Sequence, residues 1–232
     1  MNTKNDINYD GWELKYFDLS KNFRKYQFDL IKRYISGNVA EIGPGNGIIL
    51  EYYLDRCETL DLFEPDKDLF LNLRNKFSGS KKISVQNKEL ELSNEVYDTI
   101  LYLDILEHIE DHEKEILKAF GSLKKNGYLV INVPAFQFLY SDFDKHVGHY
   151  RRYSKKDINK ILSNNNLNPI SLKYYDSIGF LLSLFSKITF SNYKKNFENK
   201  IRIWDTLISV SKIIDIISFN LFGKSLLIII KK

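Results

Sequence analysis

The sequence predicts an α/β fold built on a doubly wound, mostly parallel sheet with helices on both faces. Three observations predict it. Short apolar runs alternate with segments of helical period between residues 38 and 134. One of those runs, residues 96–104 (VYDTILYLD), is apolar almost throughout, as a strand covered on both faces must be. The run EIGPGNG, from Glu41 to Gly47, places Gly43, Gly45 and Gly47 in a turn between the first apolar run and the next. Strand and helix repeating in this way give parallel strands joined by right-handed crossovers.

Each element has a local reason. Residues 21–36 carry Phe23, Tyr26, Phe28, Leu30, Ile31 and Tyr34 at roughly helical spacing and stop before Gly37, a common helix terminator. Residues 38–43 read as the first strand, and 47–57 as a helix whose N-terminus lies at the glycine turn. A strand over 58–66, a helix over 67–77 and strands over 81–87 and 96–104 continue the rhythm. Residues 112–127 form a helix with Ile116, Leu117, Phe120 and Leu123 on its apolar face, closed by Gly127, and 128–134 a strand closed by Pro134. The rhythm then breaks at a polar and aromatic loop over 135–153, long enough to suggest a function. Ser154 and Asp157 have the spacing of a capping box and open a helix that ends in the Asn-rich turn at 163–168. A sixth strand over 169–177, apolar helical stretches over 178–190 and 200–222, and a last strand over 224–232 complete the chain. Without internal repeats, residues 1–232 read as one domain: an N-terminal helical cap (1–36), a core (37–134), a loop (135–153) and a helical insert (178–222).

Composition bounds the function. Hydrophobic residues make up 44% of the 232, enough for a substantial core. The single cysteine, Cys57, excludes an internal disulfide and a Cys-rich zinc site, is expected in the core, and suits a reducing cytoplasm. The first thirty residues contain no apolar signal-peptide core. A net charge of +4, the difference between 34 basic and 30 acidic residues spread along the chain, gives little support for nucleic acid. Lys187, Asp205, Lys212, Asp215 and Lys224 interrupt the apolar C-terminal third, so no membrane span is expected. The insert is left as a lid, a dimer surface, a face for membrane or lipid, or plain core.

The glycine turn occupies the first strand-to-helix turn, where doubly wound sheets bind ligands. One strand later Glu64 stands where a carboxylate can accept both hydroxyls of a ribose, which points to an adenosine derivative. A dinucleotide loop of the G-x-G-x-x-G type needs glycine where this chain has Ile48, and a phosphate loop needs a Lys-Ser/Thr pair that is missing. A nicotinamide-dependent oxidoreductase and a non-catalytic cofactor-binding scaffold stay as alternatives. The first lacks an obvious Tyr-Lys or His-Asp hydride site.

Taken together, E-x-G-x-G-x-G, the acidic Glu64 and YDTILYLDILEHIED followed by LKKNGYLVINVPA resemble class I S-adenosylmethionine-dependent methyltransferases from about Asn22 to the C-terminus. DFDKHVGHYRRYS and GKSLLIII resemble a bacterial subfamily of these enzymes. The resemblance implies a Rossmann-like seven-stranded sheet with an antiparallel last strand, and S-adenosylmethionine as cofactor with S-adenosylhomocysteine as product. It implies that Glu41, Gly43, Gly45 and Gly47 line the methionine and ribose side and that Glu64 holds the ribose. Asn87 and Lys88 fall at the adenine, where family members often have Asp; Asp104 falls beside the transferred methyl, and His108 near the pocket. Phe23 and Arg24 cap the cofactor.

Methyl transfer is an in-line displacement that needs alignment, and a base only when the acceptor carries a proton. His149, with His146 behind it, is the candidate base. Asp144, Arg151, Arg152 and Tyr153 are candidates for holding an anionic or hydroxyl-rich acceptor, against the reading that the charged residues pin the loop by ion pairs. His108 and His112 have metal-ligand spacing but no third ligand nearby in sequence, so no metal is expected. The expected acceptor is a small molecule or a glycan or lipid precursor, with a homodimer and peripheral membrane contact left open. Nucleic acid is disfavoured, since no base-methylation Pro-Pro-Tyr/Phe motif is present.

Overall fold

The structure, a computed structural model, describes residues 11–93, 96–188 and 195–232. Its strands are β1 (Gly37–Ile42), β2 (Cys57–Phe63), β3 (Ile83–Gln86), β4 (Tyr97–Leu103), β5 (Leu123–Pro134), β6 (Pro169–Tyr175) and β7 (Ser225–Lys231). They form one seven-stranded sheet in the order β3-β2-β1-β4-β5-β7-β6. Pairings from β3 through β5 are parallel, whereas β7 runs antiparallel to both β5 and β6. The strand order reverses between β1 and β4, so the glycine turn after β1 opens at the switch point, as the sequence predicts.

The helices are α1 (Leu14–Phe17), α2 (Lys21–Ile31), α3 (Leu50–Tyr53), α4 (Lys67–Lys76), α5 (His112–Ser122), α6 (Asp142–His146), α7 (Lys155–Asn164), α8 (Ser177–Ile188), α9 (Phe197–Thr206) and α10 (Ile208–Ile217). None among the described residues is long and apolar enough to cross a membrane. Alternation along the central strands divides the apolar side chains between two faces. Ala40, Ile100, Ile131 and Ile228 pack with Ile116 of α5 and Ile158 of α7. Val39, Leu101, Val130 and Leu227 pack on the other face with Ile31 of α2, Trp204 of α9 and Ile208 of α10, and Cys57 lies in this second cluster.

Four elements differ from the sequence reading. The helix expected over 47–57 is a single turn, α3, extended by a 3-10 turn over Leu54–Arg56. Gly47 has φ +65°, outside helical geometry, and Cys57 already pairs in β2, which leaves little room between them. α5 ends at Ser122 rather than at Gly127. Leu123 enters β5, and a Cβ on Gly127 would meet Lys124 O at 2.9 Å and Asp98 O at 3.0 Å, so this glycine serves an irregular strand. The loop at 135–153 contains a 3-10 turn and α6. The insert has three described helices instead of two, and residues 189 and 190 of the first expected stretch lie outside the described residues, as do residues 1–10 of the N-terminal cap.

Buried aspartates fasten the insert. Asp215 accepts from Tyr26 Oη at 2.7 Å, from the backbone N–H of Asp176 at 2.8 Å and of Ser177 at 2.9 Å, and from the Ser177 hydroxyl. Asp176, at φ +67°, accepts from Gly179 N and Trp204 Nε1, both at 2.9 Å, and from Ser211 Oγ at 3.1 Å. Asp205 accepts from the N–H of Phe23 at 2.9 Å and of Asn22 at 3.3 Å, satisfying the open amides of α2 from another element. Asp215→Ala strips the buried Tyr26 hydroxyl and three further donors of their acceptor. It is expected to cost about 3 kcal/mol in urea unfolding, and a loss below about 1 kcal/mol would refute this role.

Candidate active site

The carboxyl ends of β1 and β4 frame a small cleft lined among others by Leu14, Phe17, Arg24, Glu41, Gly43 and Asn46. Gly43 has φ +61°, and a Cβ there would lie 2.4 Å from Ile105 Cγ1; at Gly47 the corresponding approach is 2.9 Å to Leu73. The turn therefore requires glycine at both positions. Its amides are engaged within the chain: Gly43 donates to Phe63 O at 2.9 Å, Gly47 to Pro44 O at 2.9 Å, and Gly45 to Glu64 Oε2 at 3.3 Å. The sequence expectation of helix-terminal amides offered to a ligand thus meets a one-turn helix that starts only at Leu50.

Two buried carboxylates flank the glycine turn, Glu41 in the cleft lining and Glu64 bonded to the Gly45 amide. Glu64, 4% exposed, also accepts from Asp66 N at 3.1 Å, and burial pushes its carboxyl up to about 7. Glu41, 1% exposed, accepts from the Tyr53 hydroxyl, and burial raises it to about 7 as well. Asp104 stands at the end of β4 with φ +61°. Asn132 donates to its Oδ1 at 2.6 Å, and Arg24 and Gln27 donate to Oδ2 at 3.3 and 3.4 Å. Arg24 thus points into the cleft, whereas Phe23 packs in the core, 4.7 Å from the Trp204 ring. Asn87 bridges strand ends by donating to Glu64 O at 2.9 Å and Pro65 O at 3.0 Å. Lys88 pairs with Glu91 at 3.0 Å.

Sequence reading missed Leu14, Phe17, Asp18 and Asn46 of the lining. Asn46 donates to Asp18 at 2.9 Å, tying the segment before α2 to the glycine turn. Leu14 and Phe17, three positions apart, were the available helical signal in the polar start.

The loop converges on Asp144. Arg152 grips it through Nε at 2.8 Å and Nη2 at 3.0 Å, Ser141 donates both N–H and Oγ at 2.9 Å, and His149 Nδ1 lies 2.9 Å from Oδ1. Burial alone would raise Asp144, but the His149 bond and the Arg152 charge outweigh it and hold the carboxyl below its ordinary range. Arg151 donates to Ile109 O at 2.9 Å and Glu110 O at 3.0 Å, Tyr153 Oη to Leu106 O at 3.3 Å, and Tyr150 N to Glu107 O at 2.9 Å. Asp144 and Arg152 accordingly close the loop on itself, while Arg151 and Tyr153 pin it onto the segment after β4.

The structure brings His149 to His108, their rings edge to face at 4.6 Å, and points His149 Nε2 at Glu107 Oε1, 3.9 Å away. Burial, then the charge of His149, pushes His108 down to about 3. His146 is not part of this group: it is exposed on α6, its ring 6.0 Å from that of Trp12. His112 turns to Tyr153, 5.4 Å away. Glu107 was missed although it adjoins His108 in LEHIED, because its partner comes from the distant loop.

Residues 19–172 match the model of a family described as a methyltransferase domain. The chain belongs to this family. As a class I S-adenosylmethionine-dependent methyltransferase, it shares its sheet with solved structures of low identity. The N-methyltransferase NodS from Bradyrhizobium japonicum, solved with S-adenosylhomocysteine, is 14% identical with a TM-score of 0.61, over 97% of this chain and 93% of that one. A SAM-dependent methyltransferase from Aquifex aeolicus is 15% identical with a TM-score of 0.57, over 72% and 93%. The [4+2]-cyclase SpnF is 12% identical with a TM-score of 0.59, over 89% and 80%. Ribosomal RNA small subunit methyltransferase A of Coxiella burnetii is 41% identical over 54 residues, 23% of this chain and 21% of that protein. This methyltransferase therefore spans about a fifth of the length of the curated relatives it matches.

The cleft suits the cofactor chemically. Two buried carboxyls, each raised to about 7, gain from hydroxyl donors and from positive charge, and S-adenosylmethionine carries both. The raised values mean that folded protein holds protons which unfolded chain releases near 4.5. Their contribution to apo stability is therefore full below 4.5 and lost as pH rises through about 7. Binding that favours the carboxylates works the other way: cofactor affinity is expected to rise from pH 6 to pH 8 with proton release. Calorimetry in two buffers of different ionisation enthalpy measures this, and a flat profile would contradict it.

Proposed function

We propose that this methyltransferase acts on a hydroxyl or amine of a small molecule or of a glycan or lipid precursor, held between the end of β4 and the 135–153 loop. The carrying observation is that Arg24, in the lining of the switch-point cleft with Glu41, pairs with Asp104, whose charge reaches Glu107 beside His149. The cofactor supplies an electrophilic methyl on a sulfonium. Glu64 would accept from the ribose hydroxyls, Glu41 would face its positively charged side, and Arg24 would meet its carboxylate. Asp104, fixed by Asn132 and Arg24, holds the boundary between cofactor and acceptor. Loop residues contribute alignment: with Asp144 and Arg152 locked, His149 is held in place beside His108 and Glu107. The sequence from His149 to Tyr153, GHYRRY with its preceding glycine, supports membership of the bacterial subfamily that carries it. The lone buried cysteine supports a cytoplasmic enzyme.

An apolar tail on the acceptor is supported by the outer surface of the insert. One side of it is core, through Ile201, Trp204 and Ile208, while on the other Ile216 is 74% and Phe219 85% exposed. Such a face fits a lipid-linked precursor presented at a membrane surface.

Isothermal titration with S-adenosylmethionine is expected to give one site, weakened at least about 30-fold by Glu64→Ala. Absence of binding, or an unaffected variant, would overturn the cofactor assignment. Labelled methyl should then pass to lipid-linked or nucleotide-linked sugars. For the apolar face, cosedimentation with anionic vesicles is expected to fall at least about threefold in the double variant Ile216→Asp/Phe219→Asp, with cofactor affinity unchanged. Equal sedimentation of variant and parent would argue against membrane presentation.

A further inference from the structure

We propose that Glu107, His108 and His149 form a binding site for one divalent transition cation, placed between the cofactor cleft and the loop. One ligand atom from each residue lies within 4.8 Å of the others. Glu107 Oε1 and His149 Nε2 are 3.9 Å apart, too far for a hydrogen bond. Ligands bonded at about 2.0–2.2 Å to one tetrahedral ion stand roughly 3.3–3.6 Å apart, so an inward adjustment of the three side chains would bring them to one ion.

An independent observation points the same way. Glu107 is 1% exposed, and its Oε2 has no hydrogen-bond partner among the described residues. A carboxylate oxygen in that condition is costly, and cations are the partners such groups ordinarily take. Asp104 and Asp144 lie nearby, and the guanidiniums of Arg24 and Arg152 are committed to them rather than to Glu107.

The histidines are also oriented as ligands. Asp144 holds His149 through Nδ1, which turns the Nε2 lone pair toward Glu107; a carboxylate behind an imidazole is how proteins fix the ring of a metal-binding histidine. Gly148, at φ +83°, turns the chain back so that His149 lies over His108, and a Cβ on it would sit 3.7 Å from His108 Nδ1. A general base would need its lone pair facing open acceptor space, whereas this one faces a buried carboxylate. Sequence spacing paired His108 with His112 and led to no metal; the fold pairs it with His149 instead.

Two imidazoles and one carboxylate select a first-row ion such as zinc, cobalt or manganese over calcium or magnesium, and three protein ligands leave positions open. Resting on the methyltransferase reading, the role of the ion is to hold and polarise the acceptor oxygen or nitrogen beside the end of β4.

The test needs no substrate. Enzyme stripped with chelator and titrated with Co²⁺ alone is expected to bind one equivalent with visible ligand-field bands. His149→Asn, His108→Asn and Glu107→Gln should each weaken binding at least about tenfold, with Tm reporting whether each variant is folded. Affinity for S-adenosylmethionine, measured in chelator, should stay within about twofold of the parent in the His149 variant. No Co²⁺ or Zn²⁺ uptake by the parent, or folded histidine variants that bind as tightly, would overturn the site. Either result would leave the cofactor assignment intact, because that titration is made without metal.

Discussion

Asp144 accepts from Ser141, His149 and Arg152 while its side chain is wholly withdrawn from water, and the mouth of the active site is assembled around that cluster. A carboxylate in such a place is tolerated only when its oxygens are fully partnered. Here the partners come from both ends of a long loop, so satisfying one buried charge also closes the loop. The entropy of ordering those residues is offset by charge-assisted hydrogen bonds, and Arg151 and Tyr150 then seat the ordered loop on the segment after β4. Alignment for methyl transfer follows from this anchoring rather than from an elaborate catalytic array.

The same device recurs on the other side of the sheet. Asp176, Asp205 and Asp215 are buried acceptors for backbone amides and for Trp204 and Tyr26. Asp205 and Asp215 join the insert to α2, and α2 carries Arg24 to Asp104. Insert, α2 and cofactor cleft are thereby one mechanical unit, which offers a route for events on the apolar outer face to reach the site.

Much of the architecture was legible. The apolar run of β4 and the glycine turn located the switch point, because burial on both faces and positive φ leave direct marks on composition. Glu64 was legible because strand ends are countable. α3 was overread, since Leu50, Tyr53 and Leu54 have helical spacing even though the strand after them begins too early to permit a full helix. Gly127 looked like a helix terminator because glycine marks several kinds of irregular backbone, and only the approach of Lys124 O and Asp98 O identifies which. Glu107 and His149 lie on segments far apart in sequence, and no local pattern encodes their meeting. His149 was ranked ahead of His146 in the sequence, but nothing local encodes that one is exposed and the other packs in the buried cluster.

The placement of β7 bears on how the protein is made. β6 is paired in the sheet with β7, and β7 separates it from β5. Until residues 225–231 leave the ribosome, β5 is a bare apolar edge and β6 has no partner strand, although every helix of the insert has already been synthesised. The nascent chain thus carries an open sheet edge, a state that invites wrong pairing. Closure of the sheet therefore comes late and at one stroke, with the pairing of β7 to both neighbours.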